Sequence, residues 1–184
     1  MNKNLTSKKL KNLIFEFESN FVTVNFQNQT NIVIPPEIPE NHRDISIGID
    51  IMFINGIPFL KTISHTVKFS TATEMNGANM DNVVTVLKTV PAIYRPRVFN
   101  VLAVAADSGF TDLKTNPDFI ELKITLNLIA EDEHEPYVEK FNRTIKEMCR
   151  IGLAGVPFTK LPKRMVVELV YEIVFWFNYT IPDD

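Results

Sequence analysis

Three acidic residues stand at positions where a sheet protein can gather side chains for chemistry. Asp50 lies inside an apolar strand pattern, Asp107 directly follows a second apolar run, and Glu139 lies near the start of a predicted helix. In open α/β sheets, functional groups collect where strands end and their connections diverge. If the strands that carry Asp50 and Asp107 are neighbours, their carboxylates lie side by side. The helix can then place the Glu139 carboxylate next to both.

The chemistry that such a cluster predicts is metal-assisted. Carboxylate oxygens are hard ligands that suit Mg²⁺ or Mn²⁺ rather than zinc. Two such ions would clamp the attacking and leaving oxygens of an in-line phosphoryl displacement. An ionised carboxylate within an apolar strand is costly unless something compensates it, and for Asp50 a bound cation is one compensation.

The sequence around Asp50 predicts a β-hairpin. From Ile45 to Phe53, large apolar residues alternate with other residues, which puts the apolar side chains on one face and Asp50 on the other. Asn55-Gly56 follows at once and is a typical pair for a tight turn, because both positions must accept positive φ. A second strand then runs to Ile63, and a third is expected from His65 to Thr73.

The rest of the chain alternates helices and strands. We expect a helix over Met80–Val90 that ends at Pro91, a strand over residues 99–106, a short helix near residues 116–119, a strand over residues 122–129, and helices over residues 136–150 and 161–179. In the helix that begins at Pro136, an apolar stripe of Val138, Phe141, Ile145 and Met148 opposes a charged face. The aromatic end of the last helix, Phe175–Phe177, is expected in the core. This order predicts an α/β fold with a five-stranded mixed sheet flanked by helices.

Size and composition predict one domain with an extension. A chain of 184 residues suits one full core, which we assign to residues 44–182, preceded by an N-terminal extension and proline-rich linker over residues 1–43. The net charge of −3 argues against binding nucleic acid by overall charge, but it allows a local basic stripe. Cys149 is the single cysteine, which excludes an internal disulfide. The most apolar segment, Met165–Phe177, is too short to span a bilayer, so no membrane partner is expected.

Three segments together resemble the catalytic core of retroviral and retrotransposon integrases. They are the Asp50 hairpin with its Asn55-Gly56 turn, the run Asp107-Ser108-Gly109-Phe110 after an apolar strand, and residues 137–144, YVEKFNRT. The last segment is similar to the copia-type pattern, in which an acid is followed by a basic residue, any residue, and Asn-Arg-Thr. The resemblance covers residues 44–182, and Ser108 stands where the family often has asparagine.

The resemblance implies a ribonuclease H-like fold and an Asp-Asp-Glu triad. Asp50, Asp107 and Glu139 would be both the catalytic residues and the ligands of Mg²⁺ or Mn²⁺, and Arg143 and Lys146 would contact DNA. The implied activity is that of a polynucleotidyl transferase, which cleaves a mobile-element DNA end with water and joins the new 3′-hydroxyl to target DNA. A homo-oligomer is expected, with a nuclear location if the element is eukaryotic. No residues before Asp44 supply the family's zinc-binding module, so the chain looks like a core alone.

Other interpretations remain open at this point. The chain could be a catalytically silent remnant that binds DNA or self-associates, or a nuclease of the same fold acting on RNA in hybrids. Asp50 could be a structural acid paired with a lysine or arginine, and Asp107 an ordinary turn residue. Glu139 could pair with Arg143 on a solvated helix face. Glu135 is the second candidate for the third ligand.

Overall fold

The structure, a computed structural model, describes residues 37–129, 136–157 and 160–179. These residues form a five-stranded sheet in the order β3-β2-β1-β4-β5. The strands are β1 (Asp44–Ile54), β2 (Ile57–Ser64), β3 (Ser70–Glu74), β4 (Asn100–Ala106) and β5 (Thr125–Leu128). β1, β2 and β3 pair antiparallel, whereas β4 pairs parallel with both β1 and β5. The predicted five-stranded mixed sheet is confirmed.

Helices connect and cover these strands. They are α1 (Glu37–His42), α2 (Met80–Leu87), α3 (Val90–Tyr94), α4 (Pro117–Glu121), α5 (Pro136–Ala154) and α6 (Lys163–Tyr179), with 3₁₀ segments at Arg95–Arg97 and Ser108–Lys114. α5 packs against β1 and α6, and α6 also packs against β3, while α3 packs against β4. The fold is therefore α/β, as expected. None of the described helices combines the length and apolarity that a bilayer span needs.

The β1–β2 hairpin has the turn that its sequence predicts. Asn55 has a φ of 50° and Gly56 a φ of 77°, the positive values that a two-residue turn of this kind requires. Because the turn contains only these two residues, Ile54 pairs with Ile57, and counting back along both strands pairs Asp50 with Lys61. This register puts the Asp50 and Lys61 side chains on the same face of the sheet.

Burial along β1 differs in part from the simple alternation expected. Ile45, Ile47 and Ile49 are buried on one face, as predicted, but Phe53 is 53% exposed. Met52 and Ile54 are buried on the opposite face, where they join a core cluster with residues of α5 and α6. Both faces of β1 are therefore covered, and the face that carries Asp50 is the one against α5.

In each of the two long helices, some residues that were expected in the core are exposed. In α5, Phe141, Ile145 and Cys149 are buried, whereas Met148 is 43% exposed because Cys149, four residues after Ile145, continues the buried stripe. In α6, the expectation that the aromatic end lies in the core is wrong for Phe175 and Trp176, which are more than half exposed. Phe177 does pack inward, with its ring 4.6 Å from that of Phe141.

Several predicted boundaries shift. The helix α1 occupies part of the expected linker, since a proline in the first turn of a helix removes no intrahelical hydrogen bond. Pro91 does not end α2 but lies in the first turn of α3. β3 begins at Ser70 rather than His65, because Lys68, with a φ of 55°, closes a turn back to Ser64. The extension before residue 35 and the acidic loop with His134 and Glu135 lie outside the described residues.

Candidate active site

Asp50 lies in β1, and Asp107 directly follows β4, the parallel strand next to β1. The pairing of β1 with β4 ends at Gly48 and Ala105, and each aspartate lies two residues further along its strand direction. Since residues in register on neighbouring parallel strands lie side by side, the two carboxylates are carried to the same region of the sheet. The predicted adjacency of the two strands is confirmed, and the proximity of the two carboxylates stays a prediction.

The carboxylate of Asp50 is compensated by groups of the chain itself. Its Oδ2 accepts a hydrogen bond from the Asn142 side-chain amide and lies 3.8 Å from Lys61 Nζ. The Asp50 side chain remains 29% exposed, whereas that of Lys61 is 0% exposed. Asp50 thus has the basic partner that the structural interpretation requires, and binding of a metal ion at this carboxylate stays a prediction.

Lys61 links Asp50 and its strand to α5. Its Nζ donates hydrogen bonds to the Val138 carbonyl at 3.0 Å and to Asn142 Oδ1 at 2.9 Å. It also lies 5.4 Å from the centroid of the Phe141 ring, within the range of a cation–π contact. These contacts fix the first turns of α5 against the hairpin at the position of Asp50.

Asp107 has a capping role at the start of the 3₁₀ segment. Its Oδ1 accepts a hydrogen bond of 2.8 Å from the Gly109 backbone N–H. This is the turn role that an aspartate after a strand commonly has. The contact orients the carboxylate, whose second oxygen takes no part in it.

Glu139 lies on the first turns of α5, and its side chain is exposed. It is three residues before Asn142, and residues at that spacing are neighbours on a helix surface. The hydrogen bond from Asn142 to Asp50 therefore brings the part of α5 that carries Glu139 to the site. The alternative in which Arg143 pairs with Glu139 is not what forms, since Arg143 pairs with Glu147, with its guanidinium Nε 3.3 Å from the carboxylate.

Arg143 and Lys146 lie on the solvent side of α5. Both side chains are exposed, and that of Arg143 is 81% exposed. They lie one and two helical turns after Glu139, on the part of α5 that leads away from the site. Their exposure leaves them accessible to the phosphate backbone of a nucleic acid.

The donor chemistry fits a hard divalent cation. Asp50, Asp107 and Glu139 offer oxygen atoms only, and these are the ligands that Mg²⁺ and Mn²⁺ take in proteins. Within the residues that the structure describes, no three His, Cys, Asp or Glu side chains form a group that could hold a metal ion. The structure thus has Asp50 in β1 in contact with Asn142 of α5 and Asp107 directly after the adjacent β4, and it does not assemble the three carboxylates into one metal-binding group.

Two residues of this site were not found from the sequence. Lys61 could have been found, because a two-residue turn at Asn55-Gly56 fixes the hairpin register and puts Lys61 opposite Asp50. Asn142 belongs to the Asn-Arg-Thr run that supports the resemblance, but its contact with Asp50 depends on how α5 packs. That packing joins residues 92 positions apart, for which the sequence offers no local signal.

No protein-family model matches the chain, and comparison with curated proteins found no match. Among solved structures, the chain is similar to the catalytic core domain of BIV integrase, with a TM-score of 0.55 and 14% sequence identity. The match covers 76% of this chain and 86% of the integrase core. The fold of this chain is that of a retroviral integrase catalytic core, a ribonuclease H-like fold, as the sequence resemblance implied.

Proposed function

We propose that this chain is a metal-dependent polynucleotidyl transferase of integrase type that acts on mobile-element DNA. The observation that carries the proposal is the parallel pairing of β1 with β4, since Asp50 in β1 and Asp107 directly after β4 each lie two residues beyond the last pair, Gly48 and Ala105. The similarity in fold to an integrase catalytic core supports the same assignment. In this proposal Asp50, Asp107 and Glu139 are the catalytic residues and hold Mg²⁺ or Mn²⁺.

The chain's own residues would position the reactants. A bound divalent ion would supply charge stabilisation at the attacking and leaving oxygens of the phosphodiester. Asp50 is held by Asn142 and Lys61, and Asp107 by the Gly109 N–H, so two of the three carboxylates are oriented before any ligand binds. Arg143 and Lys146 would bind DNA phosphates beside Glu139, and the self-association of two or more copies is part of the proposal.

A metal-dependent nicking assay on a branched DNA substrate tests this function. Asp50→Asn, Asp107→Asn and Glu139→Gln should each lower the rate by about a hundredfold or more, since metal-based stabilisation of the transition state is worth several kcal/mol. Asp112→Asn is the matched control, because Asp112 is an exposed acid in the segment that Asp107 caps. Full activity of Glu139→Gln with loss in Glu135→Gln would move the third ligand to Glu135.

A second candidate function is a catalytically silent module that binds DNA. The contact network of Lys61, Asn142 and Asp50 favours it, because this network compensates the buried part of the Asp50 carboxylate without a metal ion. This candidate would be favoured over the enzyme if the protein binds DNA but does not nick it in Mg²⁺ or Mn²⁺, and if Asp50→Asn leaves the DNA affinity unchanged.

A further inference from the structure

Lys61 is a fully buried lysine at the centre of the candidate site. Its side chain is 0% exposed, and lysine is almost never fully buried unless it is paired. It lies in the middle of β2, directly opposite Asp50, on the face of the sheet that α5 covers. A buried ammonium must be compensated by oxygen atoms around it, and the atoms it uses belong to the site itself.

The contacts of Lys61 determine how the Asn142 amide is oriented. A lysine ammonium has three donors and no acceptor. The carbonyl oxygen of Asn142 therefore faces Lys61, at 2.9 Å, and its NH₂ group faces Asp50 Oδ2. Lys61 thus acts on Asp50 in two ways, through its charge at 3.8 Å and through the amide that it holds in place.

We infer that Lys61 is a positioning residue that acts as a resident cation and weakens the binding of divalent metal at Asp50. The inference rests on the proposed function, in which Asp50 is a metal ligand. An incoming ion and the ammonium would share one carboxylate within a partly buried site, where like charges repel more strongly than in water. An ion that binds Asp50 Oδ2 would also compete for this oxygen with the hydrogen bond from the Asn142 amide.

Titration with Mn²⁺, followed by the loss of the free-ion electron paramagnetic resonance signal, tests the inference. Lys61→Met and Lys61→Gln both remove the charge, and Gln keeps an NH₂ donor for the Val138 carbonyl and Asn142. Because both variants remove a positive charge that would repel the ion in a partly buried site, both should bind Mn²⁺ about tenfold more tightly than the unaltered protein. Lys140→Met is the control, since Lys140 is an exposed lysine on α5, the helix that packs over Lys61, and it should leave the affinity unchanged.

The same titration separates this inference from the proposed function. Asp50→Asn, in the unaltered and the Lys61→Gln backgrounds, reports whether Asp50 binds the ion at all. If Asp50→Asn weakens Mn²⁺ binding but both Lys61 variants bind as the unaltered protein does, Lys61 is not a resident cation. If Asp50→Asn has no effect in either background, the metal site of the proposed function is wrong.

A measurement on the unaltered protein covers the case in which the Lys61 variants do not fold. The side-chain amide signals of Asn142 in a proton–nitrogen correlation spectrum should shift when Mg²⁺ saturates the site, because the ion displaces the amide from Asp50. Saturation with Mg²⁺ that leaves the Asn142 signals unmoved would overturn the inference, since it would mean that the ion and the amide do not compete.

Discussion

Asn142 on α5 accepts a hydrogen bond of 2.9 Å from Lys61 on β2, although the two residues are 81 positions apart in the chain. The same Asn142 amide donates to Asp50 on β1. One side chain therefore joins a buried cation, a partly buried anion and the helix that carries Glu139. The stability of the fold and the geometry of the candidate site depend on the same three groups.

Replacing Asn142 by leucine should destabilise the protein strongly. Lys61 and Asp50 would each lose a hydrogen-bond partner inside the fold, and an uncompensated buried charge or donor costs about 2–4 kcal/mol. The free energy of unfolding from urea titration should fall by that amount. Arg143→Ala is the control, because its side chain is 81% exposed and such changes are usually worth less than about 0.5 kcal/mol. Equal effects of the two substitutions would show that the Asn142 network contributes nothing to stability.

The parts of the fold that local patterns determine were predictable from the sequence. Asn55-Gly56 forms the expected turn, because few residue pairs accept positive φ at both positions. The apolar run before Asp107 forms β4, and the helix that begins at Pro136 forms α5. The first and fourth strands are adjacent, as the predicted proximity of Asp50 and Asp107 requires.

What the sequence did not predict depends on packing between distant segments. The sequence left open whether a bound cation or a basic side chain compensates Asp50, and in the structure Lys61 provides a cation from the adjacent strand. Lysine in a strand is ordinarily exposed, so only the covering of β2 by α5 reveals that this one is buried. Phe53 was expected to be buried but is exposed, because α5 and α6 cover the opposite face of β1 at that position.

Gly109→Ala should impair the candidate site more than it impairs stability. A Cβ at Gly109 would lie 2.9 Å from Asp107 Oδ1, so the carboxylate would have to leave its hydrogen bond to the Gly109 N–H. Loss of such a cap costs about 1 kcal/mol of stability, whereas a displaced metal ligand should lower the nicking rate by about tenfold or more. Gly155→Ala is the control, since its Cβ would meet its nearest neighbour at an ordinary 3.7 Å. Normal nicking by Gly109→Ala would mean that the observed orientation of Asp107 does not matter for catalysis.

If Arg143 and Lys146 contact DNA phosphates, replacing both by glutamine should flatten the salt dependence of binding. Each phosphate contact contributes about 0.9 to the slope of log Kobs against log salt concentration for duplex DNA, so the slope should fall by about two. The slope is obtained from fluorescence anisotropy titrations at several salt concentrations.

The matched control for this experiment is the double replacement of Lys163 and Arg164 on α6 by glutamine. Arg143 and Arg164 are 81% and 82% exposed, and each pairs with a glutamate four residues later. Both double variants change the net charge equally but on different helices, and the α6 variant also removes the ion pair between Lys163 and Glu74. The same slope in both would indicate that DNA senses the overall charge and not the α5 surface.

Burial of the Cys149 thiol should make the stability of the protein depend on pH in the alkaline range. The thiol lies on the buried side of α5 with Phe141 and Ile145, and desolvation by burial raises the pKa of Cys149 from 9.0 to about 11. The thiolate is therefore disfavoured in the folded state relative to the unfolded chain. Its contribution to stability is fully present below pH 9 and is lost as the pH rises toward 11.

The free energy of unfolding of the unaltered protein should accordingly fall between pH 8 and pH 10.5. That of the Cys149→Ala variant should fall less over the same interval. Burial also raises the pKa of Tyr94 to about 12, against a smaller opposing effect of its hydrogen bond with Thr62. The contribution of Tyr94 is lost between its ordinary value near 10 and about 12, so Tyr94→Phe should change the curve mainly above the Cys149 interval. If the Cys149→Ala variant loses as much stability as the unaltered protein by pH 10.5, ionisation of the Cys149 thiol is not the cause of the loss.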